Sequence, residues 1–233
     1  MASKSPKHIA IILDGNRRYA KKLGLQPWKG HEFGVKKLNE LLEWCRELGI
    51  KELTLYAFST ENFKRAKTEK DFLFSIFRQE FSRMKHRKDI FENMIRINVV
   101  GRLGMFPKAM RNSMLDIMQK TRKHNRFVVN FAMAYGGRQE IADSVKKIAQ
   151  LIKSDKISPS SINENTIAKN LYLPREPDLV IRPGGELRTS NFLTWQSVYS
   201  EWFFIDKLWP EFTKEDLVKC IKEFNKRERK FGK

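Results

Sequence analysis

Cysteine is scarce in this chain of 233 residues: only Cys45 and Cys220 occur. Both fall on apolar faces of predicted helices, so a disulfide framework is excluded and thiols in a reducing cytoplasm are expected. Long hydrophobic runs are lacking as well. No apolar stretch approaches the roughly 20 residues that cross a bilayer. The first one, Ile9 to Leu13, is too short and too soon followed by Asp14 for a secretory signal. The Gly-x-x-x-x-Gly-Lys-Ser/Thr loop of a P-loop nucleotide site is missing, and no residue spacing suits zinc. Acidic residues are outnumbered, 27 Asp+Glu against 46 Lys+Arg, which leaves a net charge of +19. A composition 41% hydrophobic and 12% aromatic supplies a core and excludes disordered and collagenous chains. One soluble intracellular domain spanning residues 1–233 is expected.

The positive charge narrows the partners without naming one. Nucleic acid, an anionic membrane surface and phosphate-bearing small molecules all favour excess Lys and Arg. The basic residues are spread along the chain, with short concentrations at Lys85–Lys88 and Lys226–Lys230 that read as solvated helix faces. Aromatics lie in apolar runs rather than between exposed arginines, which argues against a single-strand nucleic-acid platform. No nucleic-acid partner is expected.

Short apolar runs alternate with longer helical patterns. Ile9–Leu13, Leu53–Phe58, Ile95–Val100 and Phe127–Met133 read as strands, Leu179–Ile181 as a short one, and Glu201–Ile205 as a further candidate. Between them, helical spacing joins Leu38, Leu41, Leu42, Cys45 and Leu48, with Gly49 as the stop. Thr68 and Asp71 have capping-box spacing ahead of Leu73, Phe77, Phe81 and Met84. Pro107 stands at the first turn of a helix carrying Met110, Met114, Ile117 and Met118. Ile141, Val145, Ile148 and Ile152 mark another helix, and Thr213 with Asp216 caps the last, which bears Leu217, Cys220, Ile221 and Phe224. Residues 154–165 read as a loop. The alternation predicts an α/β fold, a single domain with a mostly parallel central sheet flanked by helices.

Ligands of such sheets bind beyond the carboxyl ends of the strands. Those positions hold Asp14-Gly15-Asn16-Arg17-Arg18, then Ser59-Thr60-Glu61-Asn62 with Arg65, then Gly136-Gly137-Arg138, then Arg182-Pro183-Gly184-Gly185-Glu186-Leu187-Arg188-Thr189-Ser190. Asp14-Gly15-Asn16 reads equally as a turn with an aspartate N-cap, Gly136-Gly137 as a tight connection, and Ser59–Asn62 as a polar turn. The stretch from Arg182 to Ser190 is harder to dismiss, because its glycines free the backbone while two arginines and a serine offer donors suited to phosphate oxygens. Asp14 is a natural oxygen ligand for Mg2+, which takes a carboxylate or two plus substrate phosphates. The amides that follow Gly15 at a helix start suit a diphosphate.

The residues His8–Ala20, Gly30-His31, Leu53–Phe63, Asn130–Arg138, Asp178–Arg182, Trp195–Phe204 and Arg227-Glu228-Arg229 together resemble, in order along nearly the whole chain, the signatures of the cis-prenyltransferases, the undecaprenyl diphosphate synthase-like family. The resemblance implies a Mg2+-dependent condensation of isopentenyl diphosphate with an allylic prenyl diphosphate, giving a Z-polyprenyl diphosphate and free diphosphate. It implies that Asp14 holds the metal against the allylic diphosphate and that Glu201 is a second metal-binding carboxylate. The amides of Gly15, Asn16, Arg17 and Arg18, with the side chains of Arg18 and Arg65, match the allylic diphosphate site. Arg182, Arg188 and Ser190 match the isopentenyl diphosphate site, Ser59 and Asn62 stand near the reacting carbons, and His31 stands near the phosphates.

An apolar product tunnel is implied too, and Phe72, Phe74, Phe77 and Phe81 lie on a helix suited either to its wall or to ordinary core packing. A homodimer is expected by resemblance. The net charge suits weak, salt-sensitive peripheral membrane association of a cytoplasmic enzyme. Two departures stand out: Pro183 occupies the place of the family's usual Thr, and Pro27 that of an Arg, with Lys29 nearby. They leave open a transferase with a different acceptor. A non-catalytic partner subunit of the same fold ranks lower, because such a subunit is expected to lose Asp14 and the Arg182–Ser190 set.

Overall fold

The computed structural model describes residues 5–227; Glu228, Arg229 and the rest of the basic carboxyl-terminal cluster lie outside the described residues, as do residues 1–4. Six strands form one parallel sheet: β1 (His8–Ile12), β2 (Glu52–Ser59), β3 (Ile95–Val100), β4 (Phe127–Tyr135), β5 (Leu179–Pro183) and β6 (Glu201–Ile205). Their spatial order is β3-β4-β2-β1-β5-β6. The central strand β1 pairs with β2 on one side and β5 on the other, so the loops after these three strands converge. All five residues of β1 are buried, as expected of a strand covered on both faces.

Alternation along the strands divides the core. Ile9, Ile11, Leu53 and Leu55 face α2 (Gly30–Glu47), α3 (Lys67–Met84), α5 (Lys108–Thr121) and α8 (Lys214–Lys226). Ala10, Ile12, Tyr56 and Val180 face the opposite cluster with Tyr135, Leu173, Phe192 and Leu193. The register of β2 against β4 shifts at Tyr56/Phe58 and again at Phe58/Ser59. This irregularity turns Phe58 to the same side as Leu53 and Leu55 and ends the strand at Ser59. The α1 helix (Asn16–Lys22) follows β1, and two short helices, α4 (Lys88–Glu92) and α7 (Glu164–Asn170), complete the chain with α6 (Gly137–Lys153).

Several local expectations need correction. The α3 helix starts at Lys67 with Ala66 as its cap, so Thr68 is already inside the first turn and no side-chain cap forms there. Pro107 is the residue immediately before α5 rather than its first turn. Residues 154–165, expected as a loop, contain the start of α7, capped by Asn163, whose Oδ1 accepts from Thr166 N at 3.0 Å. On α6, Val145 is exposed while Glu140 and Ser144 are buried. Glu140 tolerates burial because its carboxylate accepts from the Tyr135 hydroxyl, from Gln196 Nε2 at 3.0 Å and from Leu173 N at 3.1 Å. The Thr213–Asp216 capping box forms as predicted. Both cysteines are free and buried, and burial pushes each thiol up to about 12. Among the described residues no helix is long and apolar enough to cross a membrane.

Candidate functional site

The chain leaves β1 through Asp14 and Gly15. Gly15 has φ +104°, and a Cβ there would stand 2.9 Å from the Leu208 side chain, so only glycine fits this turn. It caps α1, whose first intrahelical bond runs from Tyr19 N to Gly15 O, and the amides of Asn16, Arg17 and Arg18 precede it. The Asp14 carboxylate therefore stands beyond the end of β1 rather than capping the helix. Its Oδ2 accepts from Arg182 Nη2 at 2.8 Å and its Oδ1 from Arg18 Nη2 at 3.3 Å. Arg18 also donates through Nη1 to Gly184 O at 2.6 Å. Gly184 has φ +107° and brings the loop after β5 against Asp14 and Arg18.

That loop is organised by Arg182. Its guanidinium is 3% exposed, donates through Nη1 to Ser190 Oγ at 2.8 Å and to Arg188 O, and has an Nε without a partner. Arg188 itself is exposed and pairs with Glu186, which also stands 3.8 Å from Arg18. Pro183 is accommodated as the buried last residue of β5, opposite Ile205; the next amide, Gly184 N, donates to Ile205 O and Lys207 O.

From the end of β2, Ser59 N donates to Asn62 Oδ1 at 3.1 Å and fixes the turn that carries Arg65 inward. Arg65 Nη1 donates to Glu69 Oε1 at 3.0 Å; Arg17 stands 3.7 Å and His31 4.0 Å from the same oxygen. Glu69 is 5% exposed and is the counter-ion of this cationic group. Burial, then the charges of Arg65 and Arg17, lower the His31 pKa to about 3, so its imidazole is neutral. Burial likewise lowers the Arg65 pKa. Two buried side-chain atoms here lack protein partners, His31 Nε2 and Asn16 Oδ1. Unsatisfied buried polar atoms at the mouth of a pocket suit a polar ligand.

These residues border two connected hollows. A cavity of about 430 Å³ is lined by Asp14 to Arg18, His31, Arg65, Glu186 and Arg188, an anion-binding composition. A larger one, about 840 Å³, begins at the same Asp14, Arg65, Arg182 and Ser190 and continues over Ser59 and Asn62. It then passes between α2 and α3, where Leu38, Leu73, Phe77, Phe81 and Met84 make it apolar. Of the four phenylalanines considered for a wall, Phe77 and Phe81 line the cavity. Phe74 packs instead among Phe58, Phe63 and Phe106, and Phe72 lies under Lys29 Nζ at 5.1 Å.

The sequence-predicted set is thus brought together, with one exception. Glu201 is paired in register with Leu179, three residues before Arg182 and so about 10 Å toward the opposite end of the sheet. Its carboxylate is bound by Arg227. Within this chain it does not join Asp14, because it begins its strand whereas Asp14 follows the end of another. Among the described residues no group of three or more His, Cys, Asp or Glu could hold a metal. A cation here would have Asp14 as its protein ligand and fill its shell with phosphate oxygens and water, which fits Mg2+. Sequence reasoning missed Glu69, legible only as an Arg65/Glu69 i, i+4 pair, and Glu186.

The family model for undecaprenyl diphosphate synthases matches residues 12–232. The chain is 51% identical over 230 residues to a protein of Pyrococcus horikoshii named tritrans,polycis-undecaprenyl-diphosphate synthase (geranylgeranyl-diphosphate specific), covering 98% of this chain and 87% of that one. It is 45% identical to an isoprenyl transferase of Thermus thermophilus, covering 98% and 89%. The crystal structure of lavandulyl diphosphate synthase from Lavandula x intermedia, in complex with dimethylallyl diphosphate, superposes with a TM-score of 0.92 at 33% identity, covering 98% of this chain and 99% of that chain.

Proposed function

The chain belongs to the undecaprenyl diphosphate synthase family and is a prenyl transferase; we propose that it condenses isopentenyl diphosphate onto an allylic prenyl diphosphate, forming cis double bonds. The observation that carries this reading is the position of Asp14, at the junction between a cationic hollow and a long apolar one. Such a junction fits a substrate with a diphosphate head and a hydrocarbon tail. The Pyrococcus relative is named as geranylgeranyl-diphosphate specific, and that diphosphate is the proposed primer.

In this reaction the allylic C–O bond breaks and its electron pair leaves on the diphosphate. The isopentenyl double bond supplies the electrons of the new C–C bond, and a proton is lost to give the new double bond. The Asn16–Arg18 amides, Arg18 and Arg65 bind the leaving diphosphate, and Arg17 lies at the same rim. Asp14 would hold a Mg2+ ion, which when bound would supply further charge neutralisation there. Arg182, Arg188 and Ser190 hold the isopentenyl diphosphate, while the apolar walls keep water from the electron-poor carbon. Ser59 and Asn62 line the larger cavity with Asp14 and Arg182 and are assigned to the reacting carbons, where the proton departs. His31, kept neutral, donates a ring N–H hydrogen bond to phosphate without adding charge.

The deciding experiment incubates the purified chain with Mg2+, labelled isopentenyl diphosphate and a panel of allylic diphosphates. Products are resolved by length and double-bond geometry. Expected are Z-polyprenyl diphosphates, lost in Asp14→Ala; transfer to dimethylallyl diphosphate as acceptor instead would replace this reading with a different acceptor.

A homodimer is part of the proposal. The edge strand β6 carries Trp202 stacked on Phe204 at 5.7 Å, and Phe204, Val198 and Tyr199 are exposed beside it. An edge strand with exposed aromatics favours association, and a second copy supplies the same apolar chemistry. The charge of +19 supports a loose, salt-sensitive hold on anionic lipid, where a hydrocarbon product leaves.

A further inference from the structure

The apolar cavity is bridged across its far end by a hydrogen bond between polar groups. Its lining runs along α2 from His31 to Asn39, about 12 Å, and along α3 from Leu73 to Met84, about 16 Å. At the diphosphate end His31 of α2 approaches Glu69 of α3. At the other end Asn39 Oδ1 accepts a hydrogen bond from Arg87 Nη1 at 2.5 Å, across 48 residues of sequence. Arg87 lies just past the end of α3. Its Nε and Nη2 donate to the two carboxylate oxygens of Asp89, at 3.0 and 2.6 Å, so the fork is fixed before it reaches Asn39.

Asn39 faces the cavity beside Met84. A hydrocarbon tail gains free energy for each further unit buried against Leu38, Phe77 and Phe81. At Asn39 that gain ends, because advancing requires breaking a charge-assisted hydrogen bond and leaving both partners unpaired. The same bond holds α2 to the α3–α4 connection, so the walls cannot spread until it opens.

We propose that the Asn39–Arg87 link, held by Asp89, is the length stop of this enzyme: a specificity-determining pair that ends elongation when the tail reaches it. The inference rests on the reading of the cavity as the site of the growing tail.

The test is the product-length distribution of Arg87→Ala and Asn39→Ala, made with labelled isopentenyl diphosphate and geranylgeranyl diphosphate. Each is expected to move the distribution upward by at least one isoprene unit. Asn39→Ala leaves the Arg87–Asp89 pair in place, so its result stands if Arg87→Ala fails to fold. Lys85→Ala, which breaks the Lys85–Asp116 pair on the α5 side of α3, is expected to leave lengths unchanged. Unaltered lengths in the foldable link variants overturn the inference, as does equal lengthening in Lys85→Ala. Absence of prenyl transfer by the unmodified chain overturns the proposed function instead, a result distinct from transfer at unchanged length.

Discussion

Arg182 and Asp14 are 168 residues apart in sequence, yet Arg182 Nη2 lies 2.8 Å from Asp14 Oδ2, and the guanidinium is almost wholly buried. The contact joins the loops after two adjacent parallel strands, β1 and β5. It fixes the carboxylate of the candidate metal site from behind while leaving it partly open to the cavities.

Arg182→Ala removes a buried cation that organises both Asp14 and Ser190. Stability is expected to fall by about 2 kcal/mol from the unpaired groups left behind, and kcat/KM by roughly 10²–10³-fold as for loss of a preorganised donor. Urea unfolding and steady-state kinetics on the same preparation check both. Asp14→Asn keeps the size of the side chain and is expected to lose activity with much less loss of stability.

Neutral His31 gives the fold an acid-sensitive element. Its folded pKa, about 3, lies below the unfolded value of 6.5, so below pH 6.5 the unfolded chain binds the proton more readily. The contribution is fully present above pH 6.5 and is lost as pH falls toward 3. The buried His8, also lowered by desolvation, acts with the same sign. His31→Gln is expected to flatten, without abolishing, the decline in unfolding free energy between pH 6.5 and 4. An unchanged slope by urea titration would contradict the assignment.

Gly15→Ala forces a side chain into a left-handed turn and against Leu208. A cost of about 1–2 kcal/mol from the backbone alone is expected, with added displacement of Asp14. Thermal melting with a parallel activity assay measures it; a variant as stable and active as the parent would show that the turn is less confined than the geometry indicates.

Phe81 and Phe74 separate wall from core. Phe81→Ala opens the apolar cavity and is expected to lengthen the products. Phe74→Ala removes a ring from the cluster with Phe58, Phe63 and Phe106 and is expected to cost about 3 kcal/mol, with product length unchanged. Chain-length analysis beside denaturant unfolding distinguishes the two.

Phe204→Glu places charge on the exposed ring of the edge strand. Light scattering after size exclusion is expected to report a dimer for the parent chain and a monomer for this variant. A parent chain that elutes as a monomer at micromolar concentration would remove the dimer from the proposal.

The sequence by itself determined the strands, the parallel α/β class and the polar segments that follow each strand, because apolar periodicity and turn residues are local signals. It also carried the ordered motifs from His8 to Phe204 on which the family resemblance rests. It did not decide which polar residues meet. Glu201 begins its strand and Asp14 follows the end of another, a distinction that comes from register and not from residue type. Thr68 lost its capping role because the helix began two residues earlier, with Ala66 as its cap, and Val145 yielded the buried face of α6 to a satisfied Glu140. The counter-ion Glu69 and the Asn39–Arg87 bond arise where α2 and α3 flank one cavity. Contacts between distant segments depend on how helices are set against the sheet, which only the packed tertiary structure specifies.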